Sequence, residues 1–108
     1  ATWCGPCRQQ IPYLKKLEEE LHGEDIVFLG VSVDESKDKQ KWLDFIEKED
    51  LKGVQLLAGG WSKITKDYKI NGIPRFMVFD KQGNIVSVDA PRPSSPELKR
   101  MLETELKK

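Results

Sequence analysis

The sequence predicts an α/β fold built on a mixed sheet, and three observations point to it. Residues 26–33 form a continuous apolar run rich in β-branched side chains, the pattern of a strand buried on both faces in a parallel sheet. Amphipathic helical segments alternate with strand-like segments along the chain. Finally, residues 75–79 and 85–88 are two strand-like runs joined by five residues that include Gly83, a hairpin signature that adds an antiparallel edge.

The elements follow in order. Ile11, Leu14, Leu17 and Leu21 recur at spacings of three and four, so residues 7–22 read as a helix with one apolar stripe. Gly23 sits where a C-terminal cap belongs, and Pro12, inside the helix, removes a hydrogen bond and is expected to kink it. The central strand, 26–33, stops at Asp34-Glu35-Ser36, which offer caps for a helix over 37–50 with Trp42, Phe45, Ile46 and Leu43 inward. Residues 54–57 are a short strand, and Gly59-Gly60 break the chain. Trp61, Ile64 and Tyr68 mark a short helix that ends before Asn71-Gly72. After the hairpin, Pro91-Arg92-Pro93 form an extended connector. Ser95 then caps a last helix with Pro96 at its first position and Leu98, Met101, Leu102 and Leu106 as its buried stripe.

Bulk properties narrow the function. The 108 residues suit a single domain with a modest core. Lysines plus arginines number 18 and acids number 18, so the chain gives no electrostatic reason to bind nucleic acid or an anionic membrane. No stretch approaches the roughly 20 apolar residues that span a bilayer. The chain does not open on Met, and its first cysteine is Cys4, so an upstream segment is expected in the natural protein.

Chemistry concentrates in Cys4 and Cys7, the two cysteines of the chain, spaced C-x-x-C. A structural zinc site needs four ligands, and the sole histidine, His22, lies at the far end of the first helix. A disulfide across two intervening residues closes too small a loop to be an effective staple. Redox catalysis is the reading the local chemistry favours. Cys4 stands at the start of a helix, where unpaired N–H groups and the dipole stabilise a thiolate, and Arg8 adds positive charge one turn on. Cys4 would attack a substrate disulfide and Cys7, one turn inward and more shielded, would resolve the mixed disulfide. Pro6 suits the first turn, where its missing N–H is not needed. His22, Trp42 and Trp61 read as ordinary surface or packing residues.

Trp3-Cys4-Gly5-Pro6-Cys7 is identical to the active-site motif of thioredoxins, and the stretch from Ala1 to Leu14 resembles the TlpA/ResA-like branch of envelope thioredoxin-like proteins. Gly72-Ile73-Pro74-Arg75-Phe76 resembles the segment in which the thioredoxin fold carries a cis-proline facing the cysteines. The segment from Ala90 to Ser94 resembles thioredoxin-like modules of Bacteroides-type envelope proteins. The resemblance implies a three-layer thioredoxin-like domain over residues 1–108, in which Pro74 is cis, the Ile73 backbone pairs with an extended substrate, and Trp3, Gly5 and Pro6 line the approach to Cys4. It also implies that Glu35, in a segment similar to one where a glutamate modulates the cysteines, is a proton acceptor, with Asp34 as a second candidate.

In thioredoxins a central strand leads into the motif. This chain opens after the position of that strand, so the domain is expected to be N-terminally incomplete and its sheet to lack that member. The resemblance further implies a periplasmic or cell-envelope thiol:disulfide oxidoreductase. Its cofactor is none beyond a redox-active Cys4–Cys7 disulfide, and its partners are protein dithiols or disulfides and an upstream thiol electron donor. Gly-Pro between the cysteines favours a reducing enzyme, nearer the roughly −270 mV of thioredoxin than the roughly −120 mV of a strong oxidant. Two other functions stay open: a non-enzymatic thioredoxin-like module of a larger envelope lipoprotein, and a peroxiredoxin-like peroxidase, whose reactive cysteine ordinarily stands outside such a motif.

Overall fold

A computed structural model describes all residues, 1–108. The first helix, α1 (Gly5–Glu20), begins after Cys4 as N-cap and continues through Pro12 without interruption. It is followed by strand β1 (Leu29–Ser32), a 3-10 turn over Ser36–Asp38, helix α2 (Lys39–Glu49) and strand β2 (Val54–Leu57). A short helix, α3 (Lys63–Asp67), precedes the hairpin strands β3 (Val78–Phe79) and β4 (Ile85–Ser87), and helix α4 (Pro96–Leu106) follows them. The α/β class holds, with parallel and antiparallel pairing both present. They occur, however, in two separate two-stranded sheets, β1–β2 and β3–β4. β1 and β2 run parallel, Leu29 opposite Val54 through Ser32 opposite Leu57, whereas β3 and β4 run antiparallel across a register shift at Val78/Phe79.

The core lies where α1, α4 and the hairpin meet. Leu17 and Leu21 of α1 and its C-terminal turn pack with Val78, Ala90 and Leu98, and Ile26, Phe28, Phe76, Met101, Leu102 and Leu106 close around them. Gln10 ties α1 to the connector before α4 by accepting the Ser94 N–H at 3.1 Å. Lys99 of α4 bonds Glu20 of α1, and Lys15 of α1 bonds the Glu49 carbonyl at the end of α2. At α4 the expected start is present: Pro96 is the first helical residue and Ser95 Oγ accepts the Glu97 N–H at 3.3 Å.

The expected central strand differs most. Of residues 26–33 only Leu29–Ser32 are strand, and the run is not buried on both faces. Ile26 and Phe28 point to the core, whereas Val27 and Leu29 are 80% and 58% exposed. The reason is pairing. β1 has a partner on one edge alone, and no second layer covers its outer face. The hairpin shortens similarly, with residues 75–77 outside the ladder, although Ala90 N–H still reaches the Phe76 carbonyl at 2.8 Å. The connection does form the expected turn: Asp80 Oδ1 accepts the Gln82 and Asn84 amides at 2.9 and 2.8 Å, and Gly83 takes φ +85°. In α2, Trp42, Phe45 and Ile46 are half-buried, while Leu43 is exposed.

Candidate active site at the start of the first helix

The site begins with a turn. The Cys4 N–H donates to the Ala1 carbonyl at 3.2 Å, which folds residues 1–4 back before the helix starts. Cys4 is then the N-cap of α1, in extended backbone geometry, and its sulfur accepts the Cys7 N–H at 3.2 Å. This is the place an N-cap oxygen ordinarily fills, on one of the amides that a helix start leaves unpaired. Gly5 and Pro6 are the first two helical residues, positions at which the absent proline N–H costs nothing. Cys4 and Cys7 form a disulfide with Cα atoms 5.2 Å apart.

Exposure runs opposite to the expected order. Cys4 is 4% exposed, whereas Cys7 is half-buried. Cys4 closes the turn from Ala1, while Cys7 sits one residue past the proline on the first helical turn. Trp3 beside them is 60% exposed. Arg8 donates its amide to the Cys4 carbonyl at 3.0 Å, but its guanidinium lies over the Phe45 ring of α2, 5.6 Å from the centroid. The charge therefore sits against an aromatic face of α2, and only the Arg8 backbone touches Cys4.

The other expected residues divide. Ile73 and Pro74 lie half-buried between α3 and β3, and the Ile73–Pro74 peptide is cis. Neither is hydrogen-bonded to the cysteine segment. Glu35 stands at the 3-10 turn with its side chain 62% exposed, and its carboxylate pairs with Lys37 Nζ at 3.3 Å. The acid joined to the cysteine segment is its neighbour. Asp34 is wholly buried and accepts the Thr2 N–H at 3.0 and 3.2 Å, the Thr2 hydroxyl at 2.8 Å and the Ser32 hydroxyl at 2.5 Å. Burial alone would raise the Asp34 pKa, but the donors from Ser32 and Thr2 outweigh it and hold the carboxyl below its ordinary value. The signal available in the sequence was a polar pair, Ser32 and Asp34, interrupting the end of an apolar run.

The chain is similar to known proteins in both sequence and fold. The sequence profile of the Redoxin family matches residues 1–102. A thiol-disulfide oxidoreductase ResA of Bacillus thuringiensis subsp. konkukian is 29% identical over 108 residues, covering 99% of this chain and 58% of that protein. Among solved structures, a protein of Bacteroides vulgatus provisionally described as a thiol-disulfide oxidoreductase is 42% identical. It superposes with a TM-score of 0.79 over 97% of this chain and 66% of its own. A second structure of that description from the same species is 36% identical, with a TM-score of 0.83 over 97% of this chain and 72% of its own. The chain spans about half the length of the curated relatives it matches.

Proposed function

Because the chain belongs to the Redoxin family, we propose that its 108 residues form one redox domain that exchanges protein disulfides through the Cys4/Cys7 dithiol. The observation that carries the reading is the disulfide at the α1 N-terminus with the Cys7 amide on Cys4 Sγ. In the reduced protein that amide and the helix dipole stabilise a Cys4 thiolate over the thiol. Cys4 is therefore the nucleophile. Its sulfur attacks one sulfur of a substrate disulfide, that S–S bond breaks, and the departing substrate thiolate takes a proton. The Cys7 thiolate then attacks Cys4 Sγ, releases the second substrate thiol and forms the Cys4–Cys7 disulfide. Two electrons pass to the substrate. A thiol donor returns them by the reverse sequence.

Around this centre, the exposed Trp3 with Gly5 and Pro6 forms the approach to Cys4, and the Ile73 backbone beside Pro74 is the strand-like contact for an extended substrate. Glu35, solvated and paired with Lys37, serves as proton acceptor when Cys7 is deprotonated. Likeness to ResA and to the Bacteroides structures supports the TlpA/ResA-like branch, and with it an envelope location and a reducing role.

Insulin reduction with dithiothreitol as donor tests the reading. The wild-type chain accelerates precipitation of the insulin B chain, Cys4→Ser abolishes the acceleration, and Cys7→Ser accumulates a mixed disulfide with substrate. A folded wild-type chain whose two thiols titrate but which gives no acceleration overturns it. Equilibration against glutathione tests the reducing assignment, which a potential near the roughly −120 mV of a strong oxidant would overturn.

A further inference from the structure

We propose that Asp34 is a positioning residue for Cys4: by holding Thr2, it fixes the turn that presents Cys4 Sγ to the Cys7 amide, and so sets how readily Cys4 ionises. This rests on the thiol–disulfide reading above and adds a residue outside the motif to it.

The chain of contacts is short and continuous. Asp34 is pinned on its own side by the Ser32 hydroxyl, which donates to Oδ2 at 2.5 Å and accepts the Asp34 N–H at 3.0 Å. The Gly60 amide holds the Asp34 carbonyl at 2.9 Å. From this fixed base the carboxylate grips Thr2 through both its backbone N–H and its hydroxyl. Thr2 lies inside the turn that the Cys4 N–H closes on Ala1, so a displacement of Thr2 displaces Cys4. The bond from the Cys7 amide to Cys4 Sγ weakens steeply with distance and angle, and it is a bond that favours the thiolate.

An aspartate is suited to this task for a definite reason. Three donors converge on it, the Thr2 amide and the Thr2 and Ser32 hydroxyls, and a carboxylate is an acceptor at both oxygens. The same occupancy removes it from proton transfer. With both oxygens accepting donors and no face open to solvent, Asp34 is a poor base for a cysteine proton. Positioning and proton acceptance are thereby separated between the adjacent acids Asp34 and Glu35.

The test reads Cys4 ionisation directly. In the reduced full chain carrying Cys7→Ser, the rate of iodoacetamide alkylation against pH gives the Cys4 midpoint. Asp34→Ala frees Thr2 and raises the midpoint by about one unit, a roughly tenfold drop in the ionisation constant of the Cys4 thiol. Asp34→Asn keeps an oxygen for Thr2 and shifts the midpoint upward far less. Thr2→Val, which keeps the amide and loses the hydroxyl, falls between them. Equal downward shifts in the Asn and Ala variants would mean that the Asp34 charge acts on the sulfur through space, and would overturn positioning. An unchanged midpoint in folded variants would make Asp34 a structural residue alone, and would overturn it too. Should Asp34→Ala fail to fold, Asp34→Asn and Thr2→Val decide, with no upward shift in Thr2→Val as the overturning result. The alkylation midpoint needs no disulfide substrate, so failure of insulin reduction in the wild type would overturn the functional reading while the Asp34 comparison still stands or falls by itself.

Discussion

Asp34 couples the redox centre to stability as well as to geometry. Its carboxyl is held below the usual value by the Ser32 and Thr2 donors, which overcome the cost of burial. A carboxylate with a depressed folded-state pKa contributes stability that is fully present above its unfolded value, near 3.9, and is lost as pH falls through the folded value. Asp34→Asn should therefore lower stability at neutral pH by about 1–3 kcal/mol, the usual cost of disturbing buried hydrogen bonds to a charged group. The gap between variant and wild type should narrow as the pH falls below about 4, where Asp34 of the unfolded chain protonates, and close further as the pH falls through the lower folded value. Urea unfolding of both proteins at neutral and acid pH checks the sign, and a gap that widens in acid contradicts it. The Cys4–Cys7 disulfide and the cis Ile73–Pro74 peptide were readable because each is signalled by contiguous residues. Asp34 was harder to rank against Glu35, since its importance comes from Thr2, 32 residues away, and only the tertiary fold brings the two together.

At the scale of elements, α4 shows how local signals and tertiary packing divide the work. Ser95 and Pro96 set the helix start, as their order in the sequence implies, and Leu98 anchors the helix in the core with Leu17 and Val78. The two roles have different energetic weight. Ser95→Ala removes one cap hydrogen bond and should cost about 1 kcal/mol. Leu98→Ala removes a buried side chain and leaves a cavity, for about 2–5 kcal/mol. Denaturant unfolding should rank them in that order, and because both lie on α4, outside the cysteine turn, insulin reduction by the folded fraction should stay near wild type. An equal loss from the two substitutions would mean that α4 is held by its cap rather than by its apolar face. The helices were legible from such periodicities, which act within a few residues. The expected caps, however, were met only at α4: α1 ends at Leu21 rather than at Gly23, and α2 starts after Asp38 with no side-chain cap. The extents of β1 and β3 were not legible. A strand ends where its ladder ends, and for residues 26–33 and 75–79 the ladder depends on partners that the local sequence does not specify.

Over the whole molecule, the distribution of apolar surface sets solution behaviour. Only 12 of 108 residues are buried, while large apolar side chains on both sheets remain exposed, among them Leu29 and Val31 of β1, with Val27 just before it. Fully burying such a side chain is worth roughly 1.5–3 kcal/mol, so these faces carry a substantial drive to be covered. The balanced charge, 18 basic against 18 acidic residues, supplies no net repulsion to oppose association. The 108-residue chain should therefore bind a hydrophobic fluorescent dye in its native state and gain mass with concentration in sedimentation. Leu29 and Val31 are two residues apart on one strand and share a face, so Leu29→Thr with Val31→Thr should diminish both signals together. Threonine keeps the β-branched preference for strands, so the parallel pairing with β2 is expected to persist. Circular dichroism on the double variant separates the two ways the signals could fall. A native spectrum with weak dye binding places the exposed surface on β1. A native spectrum with undiminished dye binding and association would place it elsewhere, on β2 or on the hairpin strands where Phe79 and Ile85 are also exposed.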